Sequence, residues 1–334
     1  MKLCKKILAV IIVAAMLTVS FSALAAYEPE YPETPEGYDG YVTFAVSAIT
    51  MGWSYLIDPV LIPFHEGESV AAITVRAFEQ LGWAYTASGS VESGFYLSGV
   101  GCYETEPMIP DYLMEQILAY PAWSDEQYDF HFGEWTGEYT DDEILSAEEY
   151  CTLSGWMFLD NDELGNVGAD AQIVEAGHVY TWIFSVYGWG MDYGVSDGWG
   201  SFPTFDNPME GVSRTRASEV LALLSADEEM MENALDIAGE ELIAFLMAFY
   251  DPTSSQELID ETLAALLEAL DTAEYELGDI DMNGEITTAD AIILLRYVMG
   301  LMPLDDAALA LADMNGDGDI DTADALLVLR AATL

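Results

Sequence analysis

The sequence predicts an α+β protein of several domains, and three observations predict it. Residues 42–48 and 178–187 carry strand-like apolar runs on either side of a helix-spaced stretch at 70–81. From Arg214 to about Glu274 the apolar residues recur at helical spacing instead. Two acidic twelve-residue stretches, DIDMNGEITTAD at 279–290 and DMNGDGDIDTAD at 313–324, then repeat in the same register, followed by AIILLRYV and ALLVLR. The domains this implies are a leader at 1–25, an extended Pro- and Glu-rich lead-in at 26–39, a sheet-plus-helix domain at 40–200, a linker at 201–213, a helical spacer at 214–275 and a duplicated module at 278–334.

In the leader, Lys2, Lys5 and Lys6 precede an apolar run from Ile7 to Val19 and a small-residue site at Ala23-Leu24-Ala25. That is the pattern of a secretory signal peptide cut after Ala25. The run is short for a bilayer span, and no later stretch reaches eighteen apolar residues. The mature chain is therefore expected to be secreted, extracellular or held at a cell surface through a partner, without a membrane anchor of its own. Cleavage would leave Arg76, Arg214, Arg216, Arg296 and Arg330 as the cations opposing 60 acids. Nucleic acid is excluded as a partner, because phosphate binding needs cationic surface, and anionic membrane is excluded on the same ground. So acidic a surface favours a soluble monomer. Cys102 and Cys151 remain, and an oxidising location permits but does not require a disulfide between them.

The lead-in YEPEYPETPEGYD has the composition of extended chain. Val42, Phe44, Val46 and Ala48 alternate with Thr43, Ala45 and Ser47, predicting a strand, and Leu61–Phe64 predicts a short second one. Ser69 is placed to cap a helix whose apolar positions are Val70, Ile73, Ala77, Phe78 and Leu81, with Glu66 and Glu68 at its positive end and Gly82 to stop it. Gly94–Val100 reads as a further strand. Residues 102–150 read as an insertion, irregular apart from a short helix near 111–119. SGWMF at 154–158, a turn in DNDELGN, and HVYTWIFSVY at 178–187 complete the domain. FHEGESVAAITVRAFEQLGW at 64–83, GFYLSGVG at 94–101, GWMF at 155–158, NVGAD at 166–170 and EAGHVYTWIF at 175–184 resemble a domain of unknown function related to the C-terminal domain of transcobalamin and intrinsic factor. The resemblance implies a small β-grasp-like sheet crossed by one helix, and carries no cobalamin role, because the separate helical domain that completes that site is missing.

The linker SDGWGSFPTFDNPMEG is rich in Gly, Pro and aromatics. Beyond it come ASEVLALL, EEMMENALDIAGEELIAFLMAFY, a break at Asp251-Pro252, and SQELIDETLAALLEAL. Ser255 is placed to cap the last helix, with Leu258, Leu263, Leu266, Leu267 and Leu270 as its stripe.

The two acidic stretches have oxygen ligands at the alternate positions from which a twelve-residue loop holds calcium, a hard cation that takes six to eight oxygens. In the first the ligands would be Asp279, Asp281, Asn283, the carbonyl of Glu285, Thr287 through water, and Asp290. In the second they would be Asp313, Asn315, Asp317, the carbonyl of Asp319, Asp321 and Asp324. Gly284 and Gly318 stand sixth, where the loop turns sharply, and Ile286 and Ile320 stand eighth, where paired loops meet through a short strand. Two ions are expected. Closure by Asp, with the clearest helix after each loop, resembles the type I dockerin family, an all-α module with two EF-hand-like loops. The resemblance implies a cohesin domain of a scaffold protein as partner. It also implies contacts by Thr288, Ala289 and Arg296 in one repeat and Thr322, Ala323 and Arg330 in the other, so that either helix docks. Leu295 and Leu329 stand where a second basic residue is frequent.

No catalytic pair can be chosen among 60 carboxylates, and His65, His131 and His178 lack zinc-site spacing. Trp182, Tyr187, Trp189, Tyr193 and Trp199 are rich enough in aromatic surface for a polysaccharide or peptide platform at Trp182, Trp189, Tyr193 and Trp199, or else they are core. The expected function is a secreted, non-catalytic modular protein anchored to an extracellular scaffold through calcium-dependent docking, its front domain an interaction module. The alternative is a polysaccharide-degrading O-glycosyl hydrolase subunit of a cellulosome-like complex.

Overall fold

The computed structural model describes residues 31–101, 106–119, 123–125, 130–132, 135–139, 143–196, 205–226, 228–273, 275–282, 285–304 and 306–333. Its strands are β1 (Gly40–Ser47), β2 (Tyr55–Phe64), β3 (Tyr85–Ser90), β4 (Ser93–Gly101), β5 (Trp123–Asp125), β6 (Phe130–Phe132), β7 (Ile144–Ser146), β8 (Gly155–Asp160), β9 (Glu163–Leu164) and β10 (Val179–Ser185). Its helices are α1 (Val70–Leu81), α2 (Asp111–Ala119), α3 (Thr215–Leu224), α4 (Glu228–Tyr250), α5 (Gln256–Ala273), α6 (Thr288–Val298), α7 (Asp306–Ala310) and α8 (Thr322–Ala331). Sheets fill the N-terminal part and helices the C-terminal part. The leader and residues 26–30 of the lead-in lie outside the described residues.

The main sheet has the order β2-β1-β10-β8-β9. Its central strands β1 and β10 run parallel, Phe44 opposite Tyr180, and every other neighbour is antiparallel. Helix α1 crosses one face and buries Val70, Ile73, Ala77 and Phe78 against Val42, Phe44 and Val46. Phe78 meets Phe44 edge-on at 5.9 Å. Its start and stop follow the sequence: the Ala72 amide donates to Ser69 Oγ at 3.3 Å, and Gly82 closes the helix in the left-handed region (φ 71°), its N–H on the Phe78 carbonyl.

The strand that alternation predicted is β1, and in it Thr43, Ala45 and Ser47 are as buried as their apolar neighbours. The reason is a second cover. Helix α3 packs across β2, β1 and β10, while Ile49, Leu159, Ile183, Tyr193 and Met209 fill the space beside it. The helices therefore do not stand apart as a spacer; the first of them is a layer of the sheet domain. Its attachment is polar as well. Asp162, in the β8–β9 turn, accepts through Oδ2 from the Arg214 and Thr215 amides, both at 2.7 Å, and from Ser213 Oγ and Thr215 Oγ1. The buried Arg214 guanidinium donates onward to the carbonyls of Phe249 and Asp251.

Three further differences from expectation have local causes. β2 begins at Tyr55 rather than Leu61, and its Pro59 and Pro63 are accommodated because it is an edge strand. β3 carries no apolar signal, five of its six residues being exposed; it is held by its ladder to β4. The 102–150 region is not merely irregular, since it returns β7 to complete a β3-β4-β7 sheet. Cys151 is a buried free thiol, its pKa pushed up by burial to about 11, and Cys102 lies outside the described residues.

α4 and α5 pack through Leu242, Phe245, Phe249, Ile259, Leu266 and Leu270. The break after Tyr250 is present, and Ser255 caps α5 by accepting from the Leu258 amide at 3.2 Å. Leu258 itself is exposed rather than in the stripe. Helix α5 also touches α7, so the last module abuts the helical layer.

Candidate metal centre

In the C-terminal module α6 and α8 pack against each other over Ile280, Ala291, Leu294, Leu311, Ala325 and Val328. Ile286 and Ile320 rest on this same core, but no strand pairing joins them among the described residues. Each acidic loop leads straight into the helix that it caps. Asp290 Oδ1 accepts from the Asp281 amide at 2.9 Å, and its Oδ2 from the Thr287 amide at 2.7 Å. Asp324 repeats this, Oδ1 accepting from Asn315 at 3.3 Å and Oδ2 from Asp321 at 2.9 Å. Both helices begin with a capping box, Thr287 with Asp290 and Asp321 with Asp324. The loop-closing residue thus has two tasks, holding the loop's two ends together and starting the helix.

The first loop gathers charge. Asp279, Asp281 and Asp290 each place one carboxylate oxygen within 4.8 Å of the others, with Asp279 and Asp290 buried. At that separation two carboxylates repel by at least about 3 kcal/mol at an effective dielectric near 20, and burial adds a desolvation cost. Arg296 and Arg330 are exposed on their helices. The donor set is all oxygen, which suits a hard cation, so the residues fit calcium. Glu285 is exposed, and Asn283 and Gly284 lie outside the described residues.

In the second loop the side chains fold onto the loop's own amides. Asp313 accepts from Gly316, Asp317 and Gly318, Asn315 from Asp317, and Asp317 from Asp319. Gly318 has φ 86°, the left-handed turn its sixth place requires. Asp319 and Asp321 are exposed, and Asp321 Oδ1 accepts from the Ala323 amide. Thr288, Ala289, Thr322 and Ala323 are exposed at the helix starts, on the same helices as the two arginines.

The aromatic platform is not assembled. Trp182 and Tyr193 are buried in the sheet domain, Trp182 donating from Nε1 to Thr74 Oγ1 at 2.8 Å and the Tyr193 hydroxyl donating to the Ser47 carbonyl at 3.1 Å. Trp189 packs partly buried on the core, and Trp199 lies outside the described residues. A strand covered on both faces buries every ring along it, whichever way it points. His178 is held by Asp160 at 2.7 Å. The polar clamp of Asp162 and Arg214 was not foreseeable, because its partners are fifty residues apart and carry no motif.

The dockerin type I domain family matches residues 277–331. No curated protein and no solved structure matches the chain. Residues 277–331 thus form a dockerin type I domain at the C-terminus, which implies cohesin binding in a cellulosome-like complex. Calcium binding is typical of such domains, and the proteins that carry them are typically extracellular. No described helix is long and apolar enough to cross a membrane.

Proposed function

We propose that this is a secreted, modular and non-catalytic protein whose dockerin holds two calcium ions and plugs into a cohesin of an extracellular scaffold, with the front domain as an interaction module. The observation that carries the reading is the family match over two loops in which Asp290 and Asp324 occupy equivalent places, one of them with three carboxylates gathered within 4.8 Å. Asp279, Asp281, Asn283, Glu285, Thr287 and Asp290 would hold one ion, and Asp313, Asn315, Asp317, Asp319, Asp321 and Asp324 the other. A bound divalent cation neutralises the gathered carboxylates. The chain's own contribution is the pair of capping boxes, which couple loop closure to the start of the helices that present Thr288, Ala289 and Arg296 or Thr322, Ala323 and Arg330.

For the front domain, residues 40–200, the β-grasp-like reading rests on the strand order with parallel central β1 and β10 and one crossing helix, and no comparison supports the transcobalamin-like resemblance. Its division from the helical region is best placed after α3, since that helix covers the sheet. Calorimetry on the full chain tests the anchor: two calcium ions should bind, and Asp279→Ala with Asp313→Ala should abolish uptake and cohesin capture. Uptake that the double variant leaves unchanged would refute it. The glycosyl-hydrolase alternative rests on association alone, and assay of the same protein for reducing-sugar release from plant polysaccharides decides it.

A further inference from the structure

The outer edge of the main sheet carries a feature outside the dockerin. Beside β9 lies an open cleft of about 820 Å³, within the range of ligand sites, lined by Asp162, Glu163 and Leu164 on one side and by Val195, Met209 and Val212 on the other. The β8–β9 hairpin turns on Asn161 and Asp162, both in the left-handed region (φ 51° and 63°), the signature of a two-residue type I′ turn. Asp160 therefore faces Glu163 as a hydrogen-bonded pair. The next such pair is Phe158 with Gly165, whose amide donates to the Phe158 carbonyl at 3.2 Å. Leu164, between them opposite Leu159, is in a non-hydrogen-bonded pair, so its own N–H and C=O project outward from the sheet.

Exposed edges are normally blunted by lysine or proline. The opposite edge, β2, carries Pro59 and Pro63. The β9 edge carries neither; it is two residues long, with Glu163 as its charged side chain, and it stands beside an apolar floor.

We propose that the β9 edge and its cleft form a strand-docking site for an extended, lysine- or arginine-bearing segment of another protein. Such a segment would pair with the Leu164 amide and carbonyl, seat apolar side chains toward Val195, Met209 and Val212, and set its cation beside Glu163. A second copy of this chain is disfavoured as occupant: edge-to-edge pairing would bring Glu163 of both copies together in chains of formal charge −52. The site is independent of calcium-dependent docking, so it is tested in chelator, where failure of the anchor has no bearing on the result.

The test is to pan a random twelve-residue display library on the full-length protein in EGTA and to measure the enriched peptides by fluorescence anisotropy. The expected result is enrichment of alternating β-branched sequences with a lysine or arginine. Their binding should weaken more than tenfold in Glu163→Lys and in Leu164→Pro, where proline removes the outward N–H and leaves the β8 ladder intact, and should stay within threefold in Leu164→Ala. To separate docking from misfolding of Leu164→Pro, hydrogen exchange of the Leu164 amide in the wild-type protein is the second measure, and it should slow when peptide is bound. Enriched peptides without cations, binding insensitive to both Leu164→Pro and Glu163→Lys, an unprotected Leu164 amide, or concentration-dependent dimerisation through this edge would each overturn the proposal.

Discussion

Asp162 caps helix α3 from across the fold: its Oδ2 accepts from both the amide and the hydroxyl of Thr215, each at 2.7 Å. The first turn of a helix leaves amides unpaired, and here a hairpin turn rather than the preceding residue satisfies them. Arg214, next to Thr215, is buried and clasps the end of α4. One carboxylate therefore ties the sheet to the helical layer. Asp162→Ala should cost about 2 kcal/mol, read as a lower urea midpoint, whereas Asp162→Asn, which keeps one acceptor, should cost less than half of that.

Asp192 gives the fold an inverted response to pH. It is fully buried and accepts from Ser185 Oγ at 2.7 Å, from the Val186 amide at 2.7 Å and from Thr50 Oγ1 at 3.1 Å. Burial nevertheless pushes its pKa up to about 6, against the pull of those donors. A carboxyl raised in the fold binds its proton more tightly there than in the unfolded chain. Its contribution is complete below the ordinary aspartate range and is lost as pH rises from about 4 to 6, amounting to at most about 3 kcal/mol. Asp192→Asn can keep an oxygen toward Val186 and turn its amide toward Ser185. The difference in stability between variant and parent, followed by thermal melts from pH 4 to 7, should shift in favour of the variant as pH rises.

Trp182 is a core residue, wedged against Phe95 and Phe158 with its indole N–H on Thr74. Trp182→Ala should destabilise the protein by about 3–5 kcal/mol, and Trp182→Phe, which leaves Thr74 without its donor, by about 1–2 kcal/mol. Chemical denaturation distinguishes this from a ligand platform, whose truncation would leave the midpoint unmoved.

What the sequence made legible follows from which forces are local. The α1 boundaries were readable because Ser69 and Gly82 act on their own helix. The acidic loops were readable because their spacing is itself the geometry. The fate of Trp182 and Tyr193 was not: Trp182 is buried under α1, which meets it through Thr74, and Tyr193, beyond the end of β10, is buried beside Ile183 and Met209, and both covers are set by residues distant in sequence. β3 was invisible because its exposed Thr and Ser side chains carry no burial signal, and it is held by the ladder to β4 and by Tyr85 stacked on Phe78. Asp162 offered no hint of its role, as its partners at 213–215 are adjacent only in space.

Asp290 separates the two tasks of the loop-closing position. Asp290→Asn retains an acceptor for the Thr287 amide while removing charge from the gathered carboxylates, so the start of α6 should persist and calcium stoichiometry should fall from two to one. Asp290→Ala removes both, adding a loss of about 1 kcal/mol from the helix cap. Native mass spectrometry reports the ions and circular dichroism the helix. A variant Asp290→Asn that still binds two would sever loop closure from metal binding.

The two proposed docking faces are near copies. Ile292, Leu295 and Arg296 on α6 match Leu326, Leu329 and Arg330 on α8, and all six side chains are exposed. The leucines at 295 and 329 place apolar surface where a second cation would otherwise sit, so each face pairs one charge with an apolar strip. If either face serves a cohesin, one substitution merely forces the other orientation, and a twofold loss of available modes is small. Arg296→Ala or Arg330→Ala alone should leave the affinity within threefold, and the double variant should weaken it more than tenfold, by isothermal titration with calcium present. A single substitution with the full effect would show that only one of the two helices docks, and that the likeness between them is a relic of duplication without a use.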